Sequence, residues 1–361
     1  MYKKKIAFLI PSLHPGGMER VMSEIMDYCA TEANIEIHLV LFGLKRDVFY
    51  EIPANTIVHR PNFQFDNRKR FINTLKTILF IRKKIKAIHP NTILSYGELW
   101  NNLVLIALLN TKYPVFVSDR CQPNKSLGKV HDFLRKKLYK NAKGIIAQTS
   151  IAKSIYESGF VKNTNITVIG NPIKQQASVN SPREKIVLSV GRLIESKHHN
   201  ELIKLFAKIN NPDWKLVIVG GDALHQNNSE KLEKLVQSLN VKDKVILAGN
   251  QKDVASFYKK SSIFAFTSSS EGFPNVIGEA LSFGLPVVAF DCIAGPSDMI
   301  VEGENGYLID LFDYENFKLK LENLMNDNSN IQRMSKLAPI SVKKFEKNTI
   351  ANTYLKFITS N

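Results

Sequence analysis

Lys185–Arg192 reads KIVLSVGR and restarts a pattern set at Lys5–Ser12, KIAFLIPS: a lysine, a short apolar run, then a break. Runs of this length suit strands buried on both faces, the usual state of a parallel sheet covered by helices. After the first run come IHLVLF (37–42), TILSY (92–96), VFVS (115–118) and GIIAQ (144–148). After the second come KLVIVGG (215–221), KVILAG (244–249), IFAFTS (263–268) and PVVAF (286–290). Amphipathic stretches separate them. From Phe71 to Ile88, apolar residues at Phe71, Leu75, Ile78, Leu79, Ile85 and Ile88 form one stripe, with Arg82, Lys83, Lys84 and Lys86 filling much of the rest. A βα alternation that begins twice predicts an α/β chain with two doubly wound parallel sheets. The expected domains are 1–170 and 171–340, joined by a Pro-, Gln-, Ser- and Asn-containing linker over Gly170–Glu184. The last segment, Ile340–Ile358, reads as helix with no strand after it, so about 341–361 is expected to pack back on the first domain. A length of 361 residues fits two separate cores.

Hydrophobic residues at 44% and charged residues at 23% are globular proportions and exclude a disordered or low-complexity chain. The opening MYKKKIAFLIPSLHPGG places lysines before an apolar run as a signal peptide does, but Pro11 ends the run and no small-residue cleavage site follows; it reads as the first strand. Ile93–Leu109 is the most apolar later stretch, and Glu98, Asn101 and Asn102 interrupt it, which argues against a transmembrane helix. Cys29, Cys121 and Cys292 are scattered and form no C-x-x-C pair, which points to a reducing cytoplasm. The net charge of +16 is uneven: residues 1–170 hold 26 Lys and Arg against 12 Asp and Glu, so the excess lies in the first half, where it attracts phosphates or anionic lipid.

Three motifs carry candidate chemistry. After the first strand, Gly16 and Gly17 stand just before a helix expected near Met18, where backbone amides and the helix dipole suit an anion. A plain tight βα turn accounts for them equally well, and the dinucleotide fingerprint G-x-G-x-x-G is absent. After the restart strand, G-R-L-I-E-S-K puts Arg192 and Lys197 where a doubly wound sheet opens its crevice; they read either as diphosphate ligands or as a solvated basic loop. The sharpest signal is SSSEGFPNVIGEA (268–280). A helix beginning near Pro274 would put Glu271 at its mouth and Glu279 on its second turn, with the backbone from Phe273 through Pro274 to Val276 at the positive end and the N–H groups of Phe273, Asn275 and Val276 as its donors. The diphosphate would meet those amides and the carboxylates would accept sugar hydroxyls; the alternative is a helix-start acid and a surface acid. His14, His198 and His199 lie in the same loops, but no carboxylate or Cys stands at ligand spacing, so no metal site is expected.

GG-x-E-R (Gly16, Gly17, Glu19, Arg20), I-G-N-P-I at the linker, V-G-R-L-x-x-x-K and E-G-F-P-N-V-x-x-E-A, in this order over nearly the whole chain, resemble the retaining glycosyltransferases of family 4. The resemblance implies the GT-B fold, two Rossmann-like domains facing a central cleft that holds a nucleotide-sugar. It implies Arg192 and Lys197 on the diphosphate, Glu279 on the ribose, and Glu271 with the amides of Gly272–Asn275 on the donor sugar. Gly17 would close over the phosphates. Family members usually need no metal, and the chain has no D-x-D triplet. Retention is commonly explained by attack from the leaving-group face, with the departing phosphate taking the acceptor's proton. The chain departs from many relatives at V-S-D-R-C-Q-P, where Arg120 stands in place of a histidine; Arg120 is then either a variant catalytic contact or half of a surface ion pair with Asp119.

The basic stretches NRKRFINTLKTILFIRKKIKAI (67–88) and HDFLRKKLYKNAKG (131–144) are expected to rest on the anionic inner leaflet, so that a lipid-linked or lipopolysaccharide acceptor can enter; a solvated basic face is the alternative. They lack an aromatic stacking pattern or reader motif, which argues against nucleic acid. The resemblance favours a UDP-sugar donor. A sugar-nucleotide epimerase of GT-B-like fold and a non-catalytic transferase-like subunit are the competing functions.

Overall fold

The structure, a computed structural model, describes residues 3–43, 48–176, 182–223 and 226–360; the 177–181 part of the expected linker lies outside the described residues. The chain divides into two compact units, Met1–Pro172 with Lys347–Asn361, and Ile173–Glu346.

The first unit is built on seven parallel strands: β1 (Lys4–Ile10), β2 (Ile35–Leu41), β3 (Thr56–His59), β4 (Thr92–Tyr96), β5 (Val115–Ser118), β6 (Gly144–Ala147) and β7 (Ile166–Val168). Their order is β3-β2-β1-β4-β5-β6-β7, so the winding reverses between β1 and β4, where Phe8 lies opposite Leu94. Ile6 to Ile10, Ile93 and Leu94 are fully buried, as the unbroken apolar runs require. The sheet's two edge strands are absent from the sequence reading. They are short and half open to solvent, with Ile57, Val58 and Val168 exposed, and so carry no continuous apolar run.

The helix Arg70–Ile88 forms as expected but is turned differently. Its buried row is Asn73, Thr77, Ile81, Ile85 and Ile88, whereas Phe71, Leu75 and Leu79 face solvent. Packing of Ile81, Ile85 and Ile88 fixes the rotation of the whole rod. The two polar residues this carries inward are satisfied locally: Asn73 Nδ2 donates to the Asp66 carbonyl at 2.9 Å and Thr77 Oγ1 to the Asn73 carbonyl at 2.8 Å. The C-terminal segment is also not one helix. A helix over Asn328–Ser341 ends, Lys343–Phe345 makes a short 3₁₀ turn, and a last helix runs Lys347–Thr359. The break coincides with a backbone tie from the Ile173 amide to the Phe345 carbonyl, 2.7 Å, which holds residues up to Glu346 in the second unit. The last helix belongs to the first unit, where Phe357 packs edge-on against Phe116 at 5.2 Å and Lys347 pairs with Asp27 at 3.2 Å.

The second unit has six parallel strands: β8 (Ile186–Val190), β9 (Lys215–Val219), β10 (Val245–Gly249), β11 (Ile263–Phe266), β12 (Val287–Phe290) and β13 (Gly306–Ile309). Their order, β10-β9-β8-β11-β12-β13, matches the first six strands of the first unit, and the winding reverses between β8 and β11. Its core joins Val187, Leu216, Ile218 and Ile263 to helix residues such as Phe206, Phe317 and Leu321. Among the described residues no helix is long and apolar enough to cross a membrane.

Candidate functional site

Doubly wound sheets present ligands to the strand exits flanking the reversal point. In the second unit these exits are the loops after β8 and β11, and they are stitched together. The Ser269 amide donates to the Ser196 carbonyl at 2.9 Å, Thr267 Oγ1 donates to the Lys197 carbonyl at 2.7 Å, and His198 Nε2 meets Ser269 Oγ at 2.9 Å. With its backbone gripped, Lys197 directs Nζ to Glu271 Oε1 at 2.5 Å; the two side chains are 15% and 16% exposed, enough to be reached from solvent. Behind them His199 is buried and its imidazole is pushed down to about 4, by burial first and by the Lys197 charge second, so it is neutral beneath the cation.

The helix near the second acid runs Asn275–Ser282 with Pro274 as N-cap, and no side chain caps it. The Asn275 amide turns back to the Phe273 carbonyl and Ile277 to that of Pro274, both 2.9 Å. The amides of Gly272, Phe273 and Val276 meet no backbone acceptor among the described residues. Phe273 anchors the turn, buried edge-on against Phe345 at 5.5 Å. The loop after β12 braces it from below: Gly295 has φ +132°, and a Cβ there would come within 2.2 Å of Pro274 Cδ, so only glycine allows the approach. The Cys292 thiol of this loop is pushed up to about 12 by burial and then by the Glu271 carboxylate. Glu279 lies on the helix's second turn and accepts from Tyr258 Oη at 3.2 Å. Arg192 is exposed on the β8 loop, and its guanidinium meets no hydrogen-bond or ion-pair partner among the described residues.

The matching exits of the first unit are arranged differently. The helix Gly17–Ala30 starts directly after Gly16. A Cβ on Gly16 would fall 2.3 Å from Glu19 Oε2, so the glycine makes room for a carboxylate of its own chain. That buried carboxylate lies 3.1 Å from His14 Nδ1, which also meets Ser12 Oγ at 2.8 Å. The expected alternative for Arg120, a surface pair with Asp119, does not occur. Asp119 is buried and accepts from Arg135, Tyr139 Oη, Tyr156 Oη and Asn101 Nδ2, because a carboxylate withdrawn from water needs a full set of donors. Arg120 instead lies 3.8 Å over the Tyr96 ring and donates to Asn171 Oδ1 at 2.7 Å and Tyr354 Oη at 3.0 Å. Glu98, which the sequence reading used only as a break in an apolar run, is buried and takes the amides of Arg120 and Cys121 at 2.7 and 2.6 Å. Burial, and secondarily the Asp119 charge, raise its carboxyl above the ordinary range. The available signal was position: both acids follow at once, or nearly so, on a buried apolar strand. Among the described residues no three His, Cys, Asp or Glu groups converge as a metal cluster.

Two family profiles cover most of the chain: Glycosyltransferase Family 4 over residues 15–176, and Glycosyl transferases group 1 over residues 171–340. A relative from Campylobacter jejuni, named GalNAc-alpha-(1->4)-GalNAc-alpha-(1->3)-diNAcBac-PP-undecaprenol alpha-1,4-N-acetyl-D-galactosaminyltransferase, is 26% identical over 98% of both chains. Among solved structures, the apo lipopolysaccharide outer core galactosyltransferase WaaB superposes with TM-score 0.81 at 21% identity, over 98% of this chain and 99% of that one. Anabaena HepE in complex with UDP superposes with TM-score 0.79 at 19% identity, over 99% of this chain and 100% of that one. The two units therefore have the GT-B fold.

Proposed function

Because the chain belongs to the family 4, group 1 glycosyltransferases, we propose that it transfers a sugar, with retention of anomeric configuration, from a nucleotide-sugar to a lipid-linked or cell-surface glycan acceptor. The observation that carries this is the Lys197–Glu271 pair at the reversal point of the second sheet, beside a helix start with open amides. In the reaction an acceptor hydroxyl oxygen bonds to the anomeric carbon, the bond from that carbon to the diphosphate breaks, and the acceptor's proton passes to the departing phosphate. Lys197, exposed Arg192 and the amides of Gly272, Phe273 and Val276 would stabilise the charge that grows on the leaving group. Glu271 would accept a donor-sugar hydroxyl and Glu279 a ribose hydroxyl. Arg120, committed to Asn171 and Tyr354, has a positional part. No metal is required. A UDP-sugar is the favoured donor, in keeping with the UDP complex of HepE.

Work on the inner face of an anionic membrane suits the same reading. Residues 67–97 carry eight Lys and Arg and no Asp or Glu, and the helix within them turns Phe71, Ile72, Leu75 and Leu79 outward among these cations. Release of nucleotide from UDP-, GDP- and ADP-sugars, with lipid extracts as acceptors, tests the function. Sugar recovered on acceptor with its anomeric configuration kept is the expected product; inversion, or conversion of the donor sugar without transfer, contradicts the proposal. Sedimentation with phosphatidylglycerol vesicles at low salt should carry the protein down, and its absence from the pellet would remove the membrane.

A further inference from the structure

We infer that Tyr258 is a positioning residue: its phenol holds the Glu279 carboxylate in the orientation that meets a nucleotide ribose, and so sets how strongly the second unit prefers a ribose over a sugar ring without hydroxyls. The inference rests on the proposal that Glu279 accepts a ribose hydroxyl, and adds to it a residue that acts through another.

Tyr258 stands in the short helix Ala255–Lys260, 21 residues before the acid. The winding brings the two together because their helices flank one strand, the short helix leading into β11 and Asn275–Ser282 following it. The tyrosine is only 2% exposed. Its ring stacks on Phe283, with centroids 5.3 Å apart and planes 8° from parallel, and packs against Phe264 of β11 at 5.9 Å. Phe283 closes the helix that carries Glu279, so ring and acid are referred to the same rigid element. Arg183 fixes the spacing of the two helices at their C-terminal ends. Its Nη1 donates to the Ser261 carbonyl, just past the first helix, at 2.7 Å, and its Nη2 to the Phe283 carbonyl, just past the second, at 2.5 Å.

Phenylalanine would supply the same packing, so the oxygen is what needs an account. A phenol withdrawn from water requires a partner, and Tyr258 Oη donates to Glu279 Oε2 at 3.2 Å. The backbone of Glu279 is already held, its carbonyl taking the Phe283 amide at 3.1 Å and Ser282 Oγ at 2.7 Å. The side-chain torsions remain, and a glutamate left to rotate must be ordered when its ligand binds. Donation from a ring fixed by packing removes much of that freedom beforehand, so the acid is preorganised for the ribose. A tyrosine that only packs would affect every ligand of this unit alike. A positioning hydroxyl affects only ligands that carry the ribose hydroxyls.

Calorimetric titration of the full-length protein with UDP, GDP and ADP, and with the 2′,3′-dideoxy form of each, separates these roles. The parent should bind the ribose form of one of them about tenfold or more tighter than its dideoxy form, as expected for a hydrogen bond to a charged group. Tyr258→Phe should weaken the ribose form about three- to tenfold and leave the dideoxy form at the parent affinity, which also reports that the variant is folded. Glu279→Ala should lose the preference, and adding Tyr258→Phe to it should change neither affinity. A Tyr258→Phe protein that keeps the parent's preference, or that weakens both forms alike, would overturn the positioning role and leave Glu279 on the ribose. A parent that binds none of the three or shows no preference, or a Glu279→Ala protein that keeps it, would overturn the ribose reading and the inference with it. In transfer assays the donor KM of Tyr258→Phe should rise by the factor seen in binding; a fall in kcat at the parent's KM would overturn the inference.

Discussion

The two sheets share a strand order, yet an acid at the same place in each, after β4 and after β11, does opposite things. Glu98 is buried and spends its carboxylate on the amides of the neighbouring β5 exit. Glu271 stays half-buried and pairs across to Lys197 of the β8 exit. One exit is closed over its own backbone; the other leaves its ion pair part-exposed beside amides that meet no backbone acceptor among the described residues. Position in a doubly wound sheet thus nominates an acid, and only its partners decide whether it serves structure or chemistry.

The largest effect should come from the closed side. Asp119→Ala leaves the Arg135 guanidinium, fully buried, without its counter-charge. An abandoned buried charge costs about 3–5 kcal/mol, so urea denaturation of the full chain should show a clear fall in midpoint. A wild-type midpoint would mean that this network contributes nothing to folding, and that the first unit is not held by internal charge as the comparison has it. Next in size is the open side. Lys197→Ala should lower turnover about 10²–10³-fold, the range for losing a preorganised group that meets developing charge, and Glu271→Ala, which removes the sugar-hydroxyl acceptor and the partner that holds Lys197, should lower it sharply too, while far-UV circular dichroism stays that of the parent. Unchanged rates would contradict the assignment.

Much of this division was readable from sequence, and the limits have physical causes. Unbroken apolar runs marked the buried strands, and the restart at Lys185 marked the second sheet. The half-exposed strands Thr56–His59, Ile166–Val168 and Gly306–Ile309 lie at sheet edges and have no such run to give them away. The motif around Glu271 announced its helix start to within a residue, since glycine, proline and the acid are local signals. The partnership with Lys197 joins residues 74 apart and follows only once the reversal point is known. The Asp119–Arg120 pair, one of the two readings open for Arg120, does not form because adjacency in sequence is not adjacency of side chains: consecutive residues leave a strand on opposite sides. The face of Arg70–Ile88 failed because packing at one end of a rigid helix sets the rotation of the other.

A third test probes the support beneath the open pair. His199 titrates near 6.5 when unfolded and is pushed down to about 4 in the fold. Between those values the unfolded chain binds more protons, so stability falls as pH falls through that window, by up to about 3 kcal/mol for this one group. His199→Leu should remove that part of the acid sensitivity in denaturation midpoints measured from pH 7 down to 4. A variant as acid-sensitive as the parent would mean the imidazole is not held neutral there.

The smallest effect has the most to say about the comparison, because it changes the acid of the closed side without removing its shape. Burial, with the Asp119 charge adding to it, raises the Glu98 carboxyl above its ordinary value. Over the pH window between the ordinary and the raised value the folded chain binds more protons than the unfolded one, so this group's contribution falls as pH rises through the window. Glu98→Gln keeps an oxygen that can accept from the Arg120 and Cys121 amides, and it removes the repulsion with Asp119. The variant should therefore match the parent at low pH and exceed its stability by about 1 kcal/mol above the window. The same exchange at Glu271 would discard the charge that faces Lys197 and lower turnover. If Glu98→Gln instead lost stability at every pH, the ionised carboxylate itself would be required in the first unit, and the two acids would differ in exposure alone.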